Sequence, residues 1–273
     1  MTGLSFEFFP PRSEKGRDAL RDLAGELAMY GPSYFSVTFG AGGSTRDGTR
    51  DTLDDLRSRV ATPTAAHLCY SGVCLDEVLD YADALWAAGH RRIVALRGDA
   101  EPVENQRPGT TAEFVRLLRE RNPFEIAVAC YPEVHPKARS PEADLDVLLA
   151  KQEAGATHAI TQFFFENERY FAFVEAASRH GVSIPIVPGL LPVYDIDKAV
   201  GFAESCGSSV PRWVRDRFAA EGPEAGRRLI EEQAAELARA DVPDLHIYTL
   251  NRETLAVAAA RAYRAGAARL AAA

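Results

Sequence analysis

Eight apolar runs of strand length alternate with stretches of helical spacing along this chain, and that alternation leaves few folds open. The runs are Leu4–Phe9, Tyr34–Thr38, Ala65–Tyr70, Arg92–Arg97, Glu125–Cys130, His158–Thr161, Ile184–Pro188 and Leu245–Tyr248. Helical spacing covers Lys15–Met29, Leu75–Ala88, Thr111–Arg121, Pro141–Ala154 and Glu168–His180. Ser13 before Glu14, and Ser140 before Pro141 and Glu142, supply helix starts. Gly31, Gly89, Gly155 and Gly181 supply stops. Eight such repeats in 273 residues match an α/β chain folded as a (β/α)8 TIM barrel, with a doubly wound open sheet as the competitor.

The placement of polar residues favours the barrel. Glu7, Thr38, His67, Arg97-Gly98-Asp99, Tyr131 to His135, Gln162 and Tyr248 to Arg252 all fall within or just after a strand. Barrel enzymes build their sites at that end of the strands. The chain therefore reads as a single (β/α)8 barrel catalytic domain over residues 1–273, with extra helical elements around residues 193–240. That segment is longer than a usual crossover, has Pro192 and Pro211 as breakers, and includes an amphipathic stretch at Leu229–Ala240. The alanine-rich stretch Thr254–Ala273 reads as a last helix.

A formal charge of −8 argues against a general nucleic-acid binder or a partner for acidic membranes. The absence of any apolar run of about 18 residues, and of a basic-then-apolar leader, predicts a cytoplasmic protein. Cys69, Cys74, Cys130 and Cys206 form no C-x-x-C pair and no H-E-x-x-H occurs, so no metal site is expected. Gly40 to Thr45 resembles a phosphate loop but fails both familiar tests. Thr45 stands where a dinucleotide fingerprint needs glycine, and Thr49 where a Walker loop needs lysine.

The first strand carries the sharpest chemical signal. In Leu4-Ser5-Phe6-Glu7-Phe8-Phe9, alternation puts Ser5, Glu7 and Phe9 on one face and Phe6 and Phe8 on the other. If the phenylalanines pack on helices, Glu7 points into the middle of the fold. A buried carboxylate without a cationic partner keeps its proton to higher pH and can act as a general acid. The plainer alternative is a rim carboxylate in water. Arg97-Gly98-Asp99 reads either as a ligand-approach turn or as a strand end with a local ion pair. His67 and His135 each read as a site residue or as a satisfied structural histidine, which is the more frequent case for a lone histidine. No Ser/His/Asp order points to a hydrolase.

Six segments, in order, resemble the methylenetetrahydrofolate reductase family. They are Ser5–Pro11, Ser36–Ala41, Ala95–Asp99, Tyr131–Pro136, Ala159–Phe165 and Tyr248–Arg252. The resemblance spans essentially the whole chain and corresponds to the family's catalytic barrel alone. It implies FAD across the carboxyl ends of the strands, reduced by NADH or NADPH, with methylenetetrahydrofolate then taking the nicotinamide's place. It makes Glu7 the acid that protonates the folate's bridging nitrogen, and Asp99 the carboxylate beside flavin and pterin. Thr38, Phe39, Ala41, His67, Arg97, Gly98, Thr111, Tyr131, His135, Ala138, Asp144 and Lys151 become flavin contacts. Gln162 would bond pterin or nicotinamide, and Phe202 would stack on the ligand. Lys198 and Arg252 would meet the folate tail. The resemblance also implies a homo-oligomer.

Two positions depart from the family pattern: Val147 replaces asparagine and Ala150 replaces arginine. Both changes remove polar partners, which weakens the expectation of tight FAD binding. They keep open the same reaction by direct hydride transfer from NAD(P)H without tightly bound flavin. A non-catalytic folate- or flavin-binding relative is disfavoured by intact Glu7, Asp99 and Gln162.

Overall fold

The computed structural model describes residues 3–39, 46–98, 100 and 108–271. Strands β1 (Gly3–Phe8), β2 (Tyr34–Val37), β3 (Thr64–Cys69), β4 (Arg92–Leu96), β5 (Glu125–Cys130) and β6 (His158–Thr161) are followed by β7 (Ile186–Val187), β8 (Gly189–Leu190) and β9 (Asp244–Tyr248). All pairings are parallel, in the order β7-β6-β5-β4-β3-β2-β1-β9-β8. Helices α1 (Glu14–Ala28), α2 (Arg46–Arg59), α3 (Leu75–Ala87), α4 (Thr111–Arg121), α5 (Pro141–Glu153) and α6 (Asn167–Arg179) fill the first six crossovers.

The two terminal strands of that order are consecutive in the chain. β7 pairs with β6, β8 pairs with β9, and only Pro188 lies between them. Pro188 has no N–H to donate, but its carbonyl accepts from His246 N at 2.9 Å. Residues 186–190 thus form one kinked strand that changes neighbours and brings the sheet round into a (β/α)8 barrel. The sequence expectation of Ile184–Pro188 stops short: Pro185 delays the ladder's start, and Pro188 interrupts the strand without ending it.

The alternation expected on β1 is present. Leu4, Phe6 and Phe8 join Phe35, Val37, Leu68, Ile93, Ile126, Val128, Leu245 and Ile247 in the layer between sheet and helices. Tyr34, Ala65, Val94, Ala127 and Ile160 form a separate inner cluster. Ser13 and Ser140 cap α1 and α5, accepting from Gly16 N and Ala143 N.

Helix α2 was not expected, because its inward positions include Thr49 and Thr52 beside Leu53 and Leu56. The two threonines pair with the Thr38 and Gly48 carbonyls, so polar residues occupy half of the buried stripe. The extra segment holds α7 (Ile196–Cys206), α8 (Arg212–Glu221) and α9 (Glu224–Arg239). Leu191, Val193, Ala203, Val214, Phe218 and Leu229 pack there with Phe163 and Phe165. Helix α10 (Glu253–Ala271) closes the ring against α9 and α1.

Candidate active site

Glu7 lies on the inner face of β1, in register with Ser36 on β2 and Tyr248 on β9. Its Oε2 is 3.5 Å from His67 Nε2 and 3.8 Å from His246 Nε2. Its side chain is 14% exposed. Both facing imidazole nitrogens are buried and have no hydrogen-bond partner. Burial pushes the Glu7 carboxyl up, but His246 and then the charge of His67 outweigh it and hold it below the ordinary carboxylate range. The condition for a raised value, an unpartnered carboxylate, is not met. His67 is pushed below the usual imidazole range by burial, against the pull of Glu7.

A second group lies at the carboxyl ends of β4 and β5. Gly98 takes φ 91°, and a Cβ there would come within 2.9 Å of Cys69 Cβ. Arg97 precedes it. The Tyr131 and His135 rings meet edge to face at 4.5 Å. Asp144 on α5 accepts from His135 N at 2.9 Å, and His135 accepts from Lys137 N at 3.0 Å, at Nδ1. Ala138 N donates to the His135 carbonyl. Lys151, buried on α5, donates its ammonium to the Ala129 carbonyl at 2.8 Å, and burial lowers its proton affinity. His135 is held below its ordinary range by burial and by the positive charges of Arg97, Lys151 and Lys137, against Asp144. Such a cationic field suits an anionic group.

Thr38 directly follows β2, with its hydroxyl oxygen buried and unpartnered, and Phe39 comes next with its carbonyl facing Cys69 Sγ at 3.9 Å. Thr111 opens α4 behind the Thr110 cap and bonds Tyr70. Gln162 accepts from Phe163 N at 3.0 Å. Phe202 on α7, 44% exposed, stacks on Phe163 with centroids 5.4 Å apart and planes 12° apart. Arg252 lies 3.6 Å over the Tyr194 ring. Lys198, largely exposed, pairs with Asp195 at 3.5 Å. Ser209 bonds Glu133, and Ser208 bonds the Phe163 carbonyl at 2.8 Å. The loop after α7 is thereby tied to those after β5 and β6. Ala41 and Asp99, with the Gly40–Thr45 loop, lie outside the described residues.

The Asp144, Val147, Lys151 face of α5 is graded: Lys151 is buried while Val147 is 50% exposed. Sequence reasoning passed over His246, the second imidazole on Glu7. Its signal was alternation, since Asp244, His246 and Tyr248 place polar groups at every second position of β9.

The family model for methylenetetrahydrofolate reductase matches residues 1–262. The chain belongs to the methylenetetrahydrofolate reductase family. It is 37% identical over 261 residues to the 5,10-methylenetetrahydrofolate reductase of Escherichia coli K12, covering 93% of this chain and 88% of that one. A rice protein described as a probable methylenetetrahydrofolate reductase (NADH) is 30% identical over 94% of this chain but 47% of its own. Among solved structures, a Yersinia pestis dihydropteroate synthase superposes with a TM-score of 0.59 at 11% identity, covering 99% of this chain and 94% of that one. That likeness shows the barrel fold alone. Among the described residues of this methylenetetrahydrofolate reductase family member, no helix is long and apolar enough to cross a membrane.

Proposed function

We propose that the chain is a single catalytic barrel that reduces 5,10-methylenetetrahydrofolate to 5-methyltetrahydrofolate with NADH or NADPH, by way of FAD. The observation that carries this reading is Glu7, a nearly buried carboxyl flanked by two imidazoles inside the barrel of a member of this family.

The residues present fit FAD. The orphaned Thr38 hydroxyl oxygen offers an unused polar group, and the charges of Arg97, Lys151 and Lys137 around His135 suit a diphosphate. Thr38, Phe39, His67, Arg97, Gly98, Thr111, Tyr131, His135, Ala138, Asp144 and Lys151 would hold it, with Ala41 and Asp99 completing the set. When bound, FAD supplies the hydride chemistry between nicotinamide and folate.

Glu7 donates a proton from its carboxyl to the bridging nitrogen, which breaks the carbon–nitrogen bond and leaves an iminium on the folate. Asp99 stabilises that cation electrostatically. Phe202, backed by the buried Phe163 ring, forms an aromatic wall for planar ligands, and Gln162 hydrogen-bonds their edge. Arg252 and Lys198 attract the carboxylates of the folate tail.

An absorbance spectrum tests the reading. Protein incubated with FAD and freed of excess should show flavin bands that bleach with NADH or NADPH and return with methylenetetrahydrofolate. Bands that never bleach, or that do not recover with the folate, would overturn it. The departures at Val147 and Ala150 favour direct transfer from NAD(P)H as the second reading. Colourless protein that still oxidises NAD(P)H in the presence of the folate would establish that instead.

A further inference from the structure

The turn that follows β9 is costly in backbone terms. Leu250 and Asn251 both take φ 53°, and Arg252 N closes the turn on the Thr249 carbonyl at 3.0 Å. Two successive positive φ values suit glycine, asparagine or aspartate, and a leucine there is strained. Such strain persists only where surrounding contacts over-determine the backbone, and ligand clamps are a common place for it. Here those contacts lead to the acid strand. Thr249 gives its N–H and its hydroxyl to the Glu7 carbonyl, at 3.2 and 2.6 Å. Asn251 meets both main-chain groups of Phe9: its Oδ1 accepts from Phe9 N at 2.9 Å, and its Nδ2 donates to Phe9 O at 2.7 Å. The Asn251 amide thus continues the β1–β9 pairing beyond Tyr248, where the backbone has turned away.

The residue this turn delivers is Arg252. Its guanidinium lies over the Tyr194 ring, 3.6 Å from the ring centre. The Tyr194 hydroxyl donates to the Arg252 carbonyl and accepts from Leu255 N, both at 3.2 Å. Tyr194 therefore holds Arg252 at its main chain and at its head. Among the described residues Arg252 has no carboxylate partner, whereas Lys198 is paired with Asp195 at 3.5 Å. A guanidinium resting on an aromatic face keeps its N–H edge for a carboxylate, which it can meet with two parallel bonds. We propose that Asn251 and Tyr194 are positioning residues that hold Arg252 as a carboxylate-binding arm at a set span from Glu7, so that the site selects a pterin with an anionic tail over one with a neutral tail of the same shape. Asn251 sets where the Arg252 main chain stands relative to the acid strand, and Tyr194 sets where its head points. The assignment rests on the proposed function, which makes Arg252 a contact of the folate tail.

Calorimetric titration of the chain, with FAD present, compares 5-methyltetrahydrofolate with its glutamate diamide, in which both tail carboxylates are neutral amides. The unaltered chain should bind the acid more tightly than the diamide. Tyr194→Leu removes the ring under Arg252. Asn251→Gly accepts φ 53° without strain and deletes the two bonds to Phe9. Each should cut the preference for the acid by about tenfold, the order of one charge-assisted pair, with affinity for the diamide kept. Tyr194→Phe keeps the ring and should retain most of the preference. Each preference is a ratio within one preparation, so a partly unfolded sample leaves it intact. A turn with a merely structural role would weaken both ligands alike. An unchanged preference in either variant, or none in the unaltered chain, would overturn the proposal. The expected preferences in a chain that does not reduce methylenetetrahydrofolate would strike the proposed function alone.

Discussion

Glu7 owes its position to strand alternation and its chemistry to the two imidazoles that only the closed barrel brings to it. Glu7→Gln keeps the shape and removes the transferable proton. Folate reduction should fall by about 10²–10⁴-fold, the usual worth of a general acid, while reduction of bound flavin by NAD(P)H continues. Separate stopped-flow measurement of the two half-reactions checks this, and near-normal folate reduction would refute the acid role. Gly189 is set by a different constraint: a Cβ there would strike the Thr161 carbonyl and approach the Tyr248 ring at 2.7 Å. Gly189→Ala should therefore cost about 1–3 kcal/mol from overpacking, read by urea unfolding. Of the individual site residues, those carried by motifs were legible in the sequence. His246 was not, because its importance lies in a distance to a residue 239 positions away.

At the scale of the element, α5 joins the cationic group to the fold. Ser140 caps its first turn and Lys151 reaches back to the Ala129 carbonyl of β5. Between them, Val147 presents an apolar side chain to solvent. The paired change Val147→Asn with Ala150→Arg should tighten FAD binding by about tenfold, the worth of one charge-assisted hydrogen bond. Fluorescence titration of FAD checks it, and an unchanged affinity would mean that this face does not meet the cofactor. Strands and most helices were legible because one period of apolar residues suffices to bury one face. Helix α2 was not, because threonines at 49 and 52 bury as well as leucines once Thr38 and Gly48 offer carbonyls to them.

The whole molecule answers to pH through its buried histidines. His67, His90 and His158 are all pushed down mainly by burial, His158 to about 4. Below their unfolded value, about 6.5, the unfolded chain binds protons that the folded chain refuses, so stability is full above that pH and is lost as pH falls toward the folded values. His158 alone accounts for about 3 kcal/mol across this window at 1.36 kcal/mol per unit. Asp244, raised mainly by burial, opposes the loss by taking up a proton more readily when folded. The melting temperature should be flat above pH 7 and drop between about 6.5 and 4. His158→Gln should shallow that drop, and an unchanged slope would count against the histidine account.

The amino-acid order by itself determined the alternation of strands and helices, the inward face of β1, the helix caps and the family resemblance. These depend on neighbours a few residues apart, whose geometry any strand or helix reproduces. The closed sheet, the break at Pro188, helix α2 and the paired imidazoles on Glu7 were decided by the tertiary structure. Each depends on what a residue meets across the barrel, and burial and hydrogen bonding set that energy only after the sheet has come round on itself.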